Sequence, residues 1–254
     1  MSERSVIIRP LKASDEKLVR FVIGKAALEP LACANHWDYL HPLSLSIWMA
    51  LSAVFVHFMK WWPSGAHGIL GYLRPLPAIA AFALPVIFFI DWINRPDFEK
   101  RTQAILHQAD MVDILNYYAK PSSGLWILDF GNKFVGLIAL DATGDSDSEK
   151  KAKTSSRRSK QPALQAMIRH FYVDEPYRTT GIQDDLLQYA IRQTFESGAN
   201  IKSIQAESTA LLPYIKKSLV PVGFKPIGRS RKVGLFGWQF EEMVLDRSCW
   251  EEKQ

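Results

Sequence analysis

The strongest constraint on this sequence is a pair of long apolar segments close to its N-terminus. Residues 43–59 number 17, of which 13 are apolar, and none is Asp, Glu, Lys or Arg. Residues 76–93 carry one charge, Asp91, close to their end. A helix needs about 20 mostly apolar residues to cross a bilayer. The pattern therefore predicts an inserted two-helix hairpin, either transmembrane or embedded in one leaflet.

Aromatic side chains with polar atoms flank both segments, as they do where helices meet lipid headgroups. These residues are Trp37, Tyr39, Trp61, Trp62, Tyr72 and Trp92. The first segment is short, and Pro85 would kink the second, so a hairpin that enters and leaves one leaflet is also consistent with the sequence. A pair of buried helices in a soluble protein is the third interpretation.

A hairpin returns the chain to the side from which it came, so both flanking regions share a compartment. The connecting loop contains Lys60 and Arg74, whereas the flanks carry more basic residues, at positions 17, 20, 25, 95, 100 and 101. Positive charge favours the cytosolic side. The N-terminal residues, MSERSVIIRP, have no apolar core of a cleavable signal peptide. We therefore expect both flanks to face the cytosol.

Charge and cysteine content exclude several classes of function. The 31 Lys and Arg residues exceed the 26 Asp and Glu residues by 5, and this excess is spread along the chain. No basic stripe of the kind that binds nucleic acid is formed. Cys33 and Cys249 lie far apart and outside any spacing typical of disulfide frameworks or zinc sites. We expect no nucleic acid, no metal and a reducing compartment.

The remaining segments alternate between strand and helix patterns and predict a mixed α/β domain that the hairpin interrupts. The predicted domain boundaries are 1–36, the hairpin at 37–95, the rest of the domain at 96–245, and a C-terminal tail at 246–254. Predicted helices cover 16–27, 98–118, 181–197 and 211–219, and predicted strands cover 6–8, 125–130, 134–140, 166–173, 201–206, 224–227 and 239–245.

Residues 141–162 contain almost no apolar side chains and change from acidic to basic. This composition predicts a disordered loop. A phosphorylation switch is the alternative, because phosphate groups at Ser155, Ser156 or Ser159 would reverse the local charge.

The stretch most informative about chemistry is residues 171–187, FYVDEPYRTTGIQDDLL, which predicts a strand, a turn with one glycine and a helix. The first turn of a helix has unpaired N–H groups at the positive end of the helix dipole, which suits a phosphate. The same arrangement is also common where a strand and a helix only pack together.

VDEPYRTTGIQDDLL resembles the acetyl-CoA-binding motif of the GNAT acetyltransferases, in which a strand ending in Val precedes a Pro and then Q/RxxGxG/A. Val173, Pro176, Arg178 and Gly181 match that motif. The strand IKSIQAES and the segment PVGFKPI follow in the family's order. The resemblance covers residues 5–28 and about 98–245, and the hydrophobic hairpin resembles that of a membrane-anchored subgroup found at the endoplasmic reticulum.

The resemblance implies a GNAT-like fold, acetyl-CoA as cofactor, and transfer of an acetyl group to an amine at the cytosolic side of the endoplasmic reticulum membrane. Glu207 would be the general base, although a carboxylate after a strand is often only solvated, and Tyr214 lies near the general-acid position. The residues implied in cofactor binding are Val173, Arg178, Thr179, Thr180, Gly181, Ile182 and Gln183.

The sequence departs from the family pattern at three places. Gln183 stands where the motif has Gly or Ala, and Asp184 and Asp185 would repel a pyrophosphate by roughly 1–3 kcal/mol each. Leu219 stands where the family places a Tyr acid, and Tyr214 is out of register. These departures support a second hypothesis, a catalytically inactive accessory protein that binds another membrane protein, for example in transporter folding or export from the endoplasmic reticulum.

Overall fold

The structure is a computed structural model that describes residues 6–64, 68, 72–131, 133–142, 165–198, 200–229 and 232–253. It divides into two compact units. The sheet unit comprises Met1–Ala27, Thr102–Arg231 and Gln239–Gln254, and the helical unit comprises Leu28–Arg101 and Lys232–Trp238. The predicted disordered loop, 141–162, lies outside the described residues from position 143 onward.

The sheet unit is built on one mixed sheet of seven strands in the order β1-β2-β3-β4-β5-β7-β6. Only β4 and β5 are parallel neighbours, and every other pair is antiparallel. The predicted mixed α/β class is therefore confirmed. The strands are β1 Val6–Pro10, β2 Gly124–Phe130, β3 Lys133–Asp141, β4 Gln165–Val173, β5 Ser203–Thr209, β6 Lys225–Arg229 and β7 Phe240–Asp246.

Seven α-helices accompany the strands in the described part of the chain. They are α1 Glu16–Tyr39, α2 Pro42–Phe58, α3 Leu76–Leu106, α4 Ile114–Tyr118, α5 Ile182–Ser197, α6 Pro213–Val222 and α7 Arg247–Glu251. The helix expected at 16–27 continues to Tyr39. The helix expected at 98–118 is divided, because the side chain of Asp113 accepts a hydrogen bond from Asn116 N and starts a separate helix. The expected C-terminal tail contains α7.

Helices cover both faces of the sheet. The apolar side chains of α5, among them Leu186, Ala190 and Ile191, are buried on one face with strand residues such as Leu140 and Ile204. On the other face, Val19 and Ile23 of α1 and Ile114 of α4 pack in a second buried cluster. The central strands are therefore buried on both sides, which holds their backbones in fixed positions.

The helical unit contains the apolar segments. Among the described helices, α3 is by itself long and apolar enough to cross a membrane, and only 11% of its most apolar window is buried. Helix α2 has 17 residues and passes the same test only together with the preceding helix, from which it is bent by 55°. By length and composition, α3 is one candidate span among the described residues. The bent pair that ends in α2 is a second candidate if its two helices count as one span. The two-helix insertion remains a prediction.

A buried polar network joins α1, α3 and the loop before β7 within the helical unit. Asn94 Nδ2 donates hydrogen bonds to Asp38 Oδ2 at 2.7 Å and to Asn35 Oδ1 at 2.8 Å. Trp238 Nε1 donates to Asp38 Oδ1 at 3.1 Å, and Leu235 N donates to Asn94 Oδ1 at 2.7 Å. Because Asp38 and Asn94 are fully buried, each of these bonds replaces one that water would otherwise make.

We expect Asn94→Ala to lower the free energy of unfolding by about 1–3 kcal/mol, because Asp38 and the amide of Leu235 each lose a buried partner. Thermal unfolding of the detergent-solubilised protein measures the change. Asn200→Ala is the matched control, since Asn200 is exposed. Equal melting temperatures for the two variants would contradict a structural role for the network.

Candidate active site

The two parallel strands separate partway along their length. β4 and β5 form three register pairs, the last of which is Met167↔Gln205. β4 nevertheless stays paired with β3 as far as Val173, and β5 stays paired with β7 as far as Thr209. The facing edges of their C-terminal halves therefore enclose an opening, called the slot below. Main-chain groups at such an edge can bind an extended ligand that contains amide groups.

The loop after β4 leads to the N-terminus of α5, where the first amides of the helix lie. Gly181 has φ of +79°, a left-handed conformation that favours glycine. The N–H groups of Gly181, Ile182 and Gln183 have no acceptor within the residues that the structure describes. They lie at the positive end of a helix of 16 residues. This arrangement can bind a phosphate or pyrophosphate.

The side chain of Gln183 is folded into this loop. It is 7% exposed, and its Nε2 donates a hydrogen bond to Arg178 O at 3.0 Å. Its Oε1 is buried without a partner in the described part of the chain. The Gln183 side chain therefore stabilises the loop through this hydrogen bond and does not extend into the solvent in front of α5. The family motif has a small residue at this position, and the glutamine replaces it.

The other polar residues of the loop are more accessible. Thr179 and Thr180 are exposed, and Thr180 Oγ1 donates to Tyr177 O at 2.7 Å. Asp185 is exposed, and Asp184 is half-buried. Two carboxylates within the first turn stabilise the helix but oppose a bound phosphate. The loop thus has main-chain amides that can donate hydrogen bonds to an anion, next to two carboxylates that repel an anion.

Arg178 connects the loop to the slot. Its Nε donates a hydrogen bond to Val173 O at 2.7 Å, at the end of β4. Its guanidinium carbon lies 4.0 Å from the ring centroid of Tyr214, which is buried at the start of α6. The Tyr214 ring is also 6.3 Å from the ring of Phe171. The fold thus brings Tyr214 to Val173 and Arg178, although Tyr214 lies 36 residues after Arg178 in the sequence.

Glu207 lies on the opposite face of the sheet from α5. Its neighbours on β5, Ala206 and Ser208, are buried, and Ala206 belongs to the cluster that includes α5. The side chain of Glu207 is half-buried and stands opposite Glu242 in the register of β5 and β7.

A histidine that the sequence analysis did not single out lies beside the slot. His170 Nε2 is 2.7 Å from Asp110 Oδ2, which also accepts a hydrogen bond from the Tyr118 hydroxyl at 2.8 Å. Burial alone would raise the pKa of Asp110, but the bonds from His170 and Tyr118 hold that pKa below its usual value. Strand alternation could have indicated a buried position for His170, whereas its partner on a distant turn could not be read from the sequence.

A cleft of about 580 Å³ adjoins the loop between α5, α6 and the C-terminal residues. Its basic residues are Arg192 and Lys253, and the indole of Trp250 forms part of its wall. The remaining lining residues are Asp184, Gln188, Ser218, Pro221 and Val222. The cleft thus carries two basic side chains and an aromatic surface, and Lys253 Nζ donates a hydrogen bond to Pro221 O at 2.9 Å.

Comparison with known proteins identifies the family. The model of the acetyltransferase (GNAT) family matches residues 87–214, which is just over half of the 254 residues. The chain therefore belongs to the acetyltransferase (GNAT) family. No curated protein matches the chain.

Several solved structures are similar to this chain at low sequence identity. A GNAT acetyltransferase from Streptococcus pneumoniae is 10% identical, with 95% of this chain and 99% of that chain covered and a TM-score of 0.49. An N-acetyltransferase from Staphylococcus aureus Mu50 is 13% identical, with 95% and 98% covered and a TM-score of 0.46. A ribosomal-protein-S5-alanine acetyltransferase from Vibrio fischeri is 15% identical, with 98% and 97% covered and a TM-score of 0.43.

We expect Gly181→Ala to destabilise the sheet unit by roughly 1–2 kcal/mol, because a side chain is disfavoured at this left-handed backbone conformation. Gly24→Ala is the matched control, since Gly24 lies inside α1 and a Cβ atom there meets nothing within 4 Å. The control should be neutral or stabilising. Chemical denaturation of both variants checks the difference, and equal stabilities would show that the turn tolerates a side chain.

Proposed function

We propose that this protein is a membrane-anchored N-acetyltransferase that transfers the acetyl group of acetyl-CoA to an amine. The observation that carries the proposal is the slot between β4 and β5, with free amides of the α5 N-terminus at its end. Membership of the acetyltransferase (GNAT) family supports the same reaction class.

The residues around the slot fit acetyl-CoA. The N–H groups of Gly181, Ile182 and Gln183 would hold the pyrophosphate, with the hydroxyl groups of Thr179 and Thr180 nearby. The free edge of β4 would pair with the amide groups of the pantetheine arm. The basic residues of the adjoining cleft would attract the nucleotide phosphate. When bound, acetyl-CoA supplies an activated thioester.

The acceptor would approach from the face that carries Glu207. Glu207, which the resemblance implies as general base, is proposed to take part in removing the proton from the acceptor nitrogen. Tyr214 lies at the other side of the slot and is the proposed donor of a proton to the leaving sulfur.

The helical unit is proposed to anchor the protein in the endoplasmic reticulum membrane with the sheet unit in the cytosol. Leu84 and Phe88 of α3 are 71% and 72% exposed, and Phe58 of α2 is 83% exposed. Large apolar side chains that are this exposed mark an interaction with lipid or with another protein. The excess of basic residues in the flanking regions supports the cytosolic orientation.

A second candidate function is a catalytically inactive accessory protein that binds another membrane protein. The contact between Arg178 and Val173 O favours it, because this hydrogen bond occupies a main-chain acceptor at the slot. The carboxylates of Asp184 and Asp185 favour it as well, since they oppose the binding of phosphate.

Calorimetric titration of the detergent-purified protein with acetyl-CoA separates the two candidates. We expect the natural sequence to bind, and Asp184→Asn/Asp185→Asn to bind about 3- to 30-fold more tightly, because each charge near the helix terminus contributes roughly 0.3–1 kcal/mol. Glu196→Gln is the control, as Glu196 is exposed near the other end of α5.

Binding by the double variant alone would favour the accessory role, because the fold would then be intact while the natural loop rejects the cofactor. Absence of binding by all three proteins would contradict the acetyltransferase proposal.

We expect Leu84→Arg/Phe88→Arg to reduce the fraction of protein that stays with membranes after alkaline carbonate extraction. An arginine near the centre of a spanning helix costs about 2.5–3.5 kcal/mol. Leu106→Arg is the control, because Leu106 is exposed at the C-terminal end of the same helix. Equal retention of wild type and double variant would show that α3 is not inserted in lipid.

A further inference from the structure

The link between β6 and β7 belongs to the helical unit. Its residues Lys232–Trp238, with the sequence KVGLFGW, are grouped with Leu28–Arg101 and are called the tip loop below. Val233 and Trp238 close the tip loop through two main-chain hydrogen bonds of 2.8 Å. Gly234 and Gly237, which bound the turn between them, both have φ of +73°, a left-handed conformation that favours glycine. The turn therefore holds the two residues at its end, 235 and 236, in a defined conformation.

The tip loop is fixed to the corner at which α1 ends and α2 begins. The buried polar network described above bonds it to Asp38 of α1 and to Asn94 of α3. In addition, the ring of Phe236 is stacked on the imidazole of His41, with centroids 3.8 Å apart and an angle of 26° between the planes. His41 lies in the two-residue break between α1 and α2. The tip loop and this corner therefore form one surface of the helical unit.

Both apolar segments end at the level of this corner. The apolar run of α2 begins at Leu43, directly after the corner, and that of α3 ends at Ile93. Asn94, the next residue of α3, donates a hydrogen bond to Asp38 Oδ2 at 2.7 Å, which joins the end of α3's apolar run to the end of α1. Helices that cross or enter a bilayer have the ends of their apolar runs at the interface between lipid and water. When α2 and α3 are inserted, the tip loop is therefore at that interface.

The side chains of the tip loop and the corner have the character of a lipid interface. Leu235 is exposed, as are Trp37, Leu40 and Leu43 around the corner. The sequence has no Asp, Glu, Lys or Arg at positions 39–59 or 233–238, and the carboxylate of Asp38 is fully buried. Leucine and tryptophan are favoured where a protein surface enters the boundary between headgroups and acyl chains.

The base of the tip loop carries a lysine that suits lipid phosphates. Lys232 is exposed, and its stem lies along the glycine turn, since a Cβ atom added to Gly237 would be 3.1 Å from Lys232 Cδ. Lysine side chains at an interface place their methylene groups along apolar surface and their ammonium group among the headgroups. Apolar side chains at the end of the loop and a cation at its base match the order of layers in a bilayer surface.

We propose that the tip loop is a membrane contact additional to α2 and α3, with Leu235 inserted at the boundary between headgroups and acyl chains. The inference rests on the membrane anchoring proposed above. Lipid is the occupant of this surface, because the surface continues into the apolar side chains of α2 through Leu43 and has no charged group at the end of the loop. Such a contact attaches the link between β6 and β7 to the bilayer surface.

The test measures the depth of single fluorescent labels in the full chain, reconstituted in phosphatidylcholine nanodiscs. Leu235→Cys on a Cys33→Ala/Cys249→Ala background is labelled with a nitrobenzoxadiazole dye. Two lipids quench the dye, one with a nitroxide near the headgroup and one with a nitroxide near the end of the acyl chain. We expect the label at 235 to lose about half of its fluorescence to the shallow nitroxide and less to the deep one, because interfacial side chains lie roughly 5–10 Å into the boundary.

Two further labelled positions calibrate the result. Phe88→Cys tests the anchoring itself, because Phe88 is exposed within the apolar run of α3, and its label should be quenched more by the deep nitroxide. Val220→Cys is the matched control, since Val220 is an exposed aliphatic residue on α6 of the sheet unit. Its label should keep its fluorescence with both lipids. The melting temperature of each labelled protein, compared with that of the unlabelled background, shows that the fold is unchanged.

Deep quenching at 88 without quenching at 235 would overturn the membrane contact of the tip loop and leave the anchoring by α3 standing. Equal quenching at 235 and 220 would also overturn it, because the dye itself would then be entering the lipid. Absence of quenching at both 88 and 235 would overturn the proposed anchoring, and the contact of the tip loop with it.

Discussion

The structure depends most on the divergence of β4 and β5. Parallel strands that stop pairing while both stay bonded to their outer neighbours have main-chain donors and acceptors at their facing edges that do not bond to each other. Such groups need a ligand, a side chain or water. In this chain, Arg178 supplies one partner by donating to Val173 O. The site therefore exists because the sheet is incomplete at its centre.

The two faces of the opened strands have different chemistry. On the α5 face, three amides at a helix N-terminus offer donors to an anion, and the loop is braced by the buried side chain of Gln183. On the other face, the His170–Asp110 pair is buried, and Glu207 stands half-buried opposite Glu242.

The helical unit has apolar side chains on its surface and polar side chains in its interior. Large apolar side chains of α2 and α3 are exposed, whereas polar side chains such as Asp38 and Asn94 are buried. Exposed apolar surface of this kind marks a site of interaction with lipid or with another protein. The hydrogen bonds of the buried network satisfy the polar side chains, and they fix the loop that carries Trp238 within this unit.

The sequence by itself determined the strand and helix order, the apolar segments and the glycine turn at Gly181, because periodicity and turn chemistry are local properties. It could not give the end of α1 or the division after Leu106, which depend on packing and on capping by Asp113. It named Val173, Arg178 and Gly181, yet only the folded chain shows that the arginine turns back onto the strand. His170 and Asp110 are 60 residues apart. Only tertiary structure could make them partners, because a bulge in β4 and a turn after α3 set their distance.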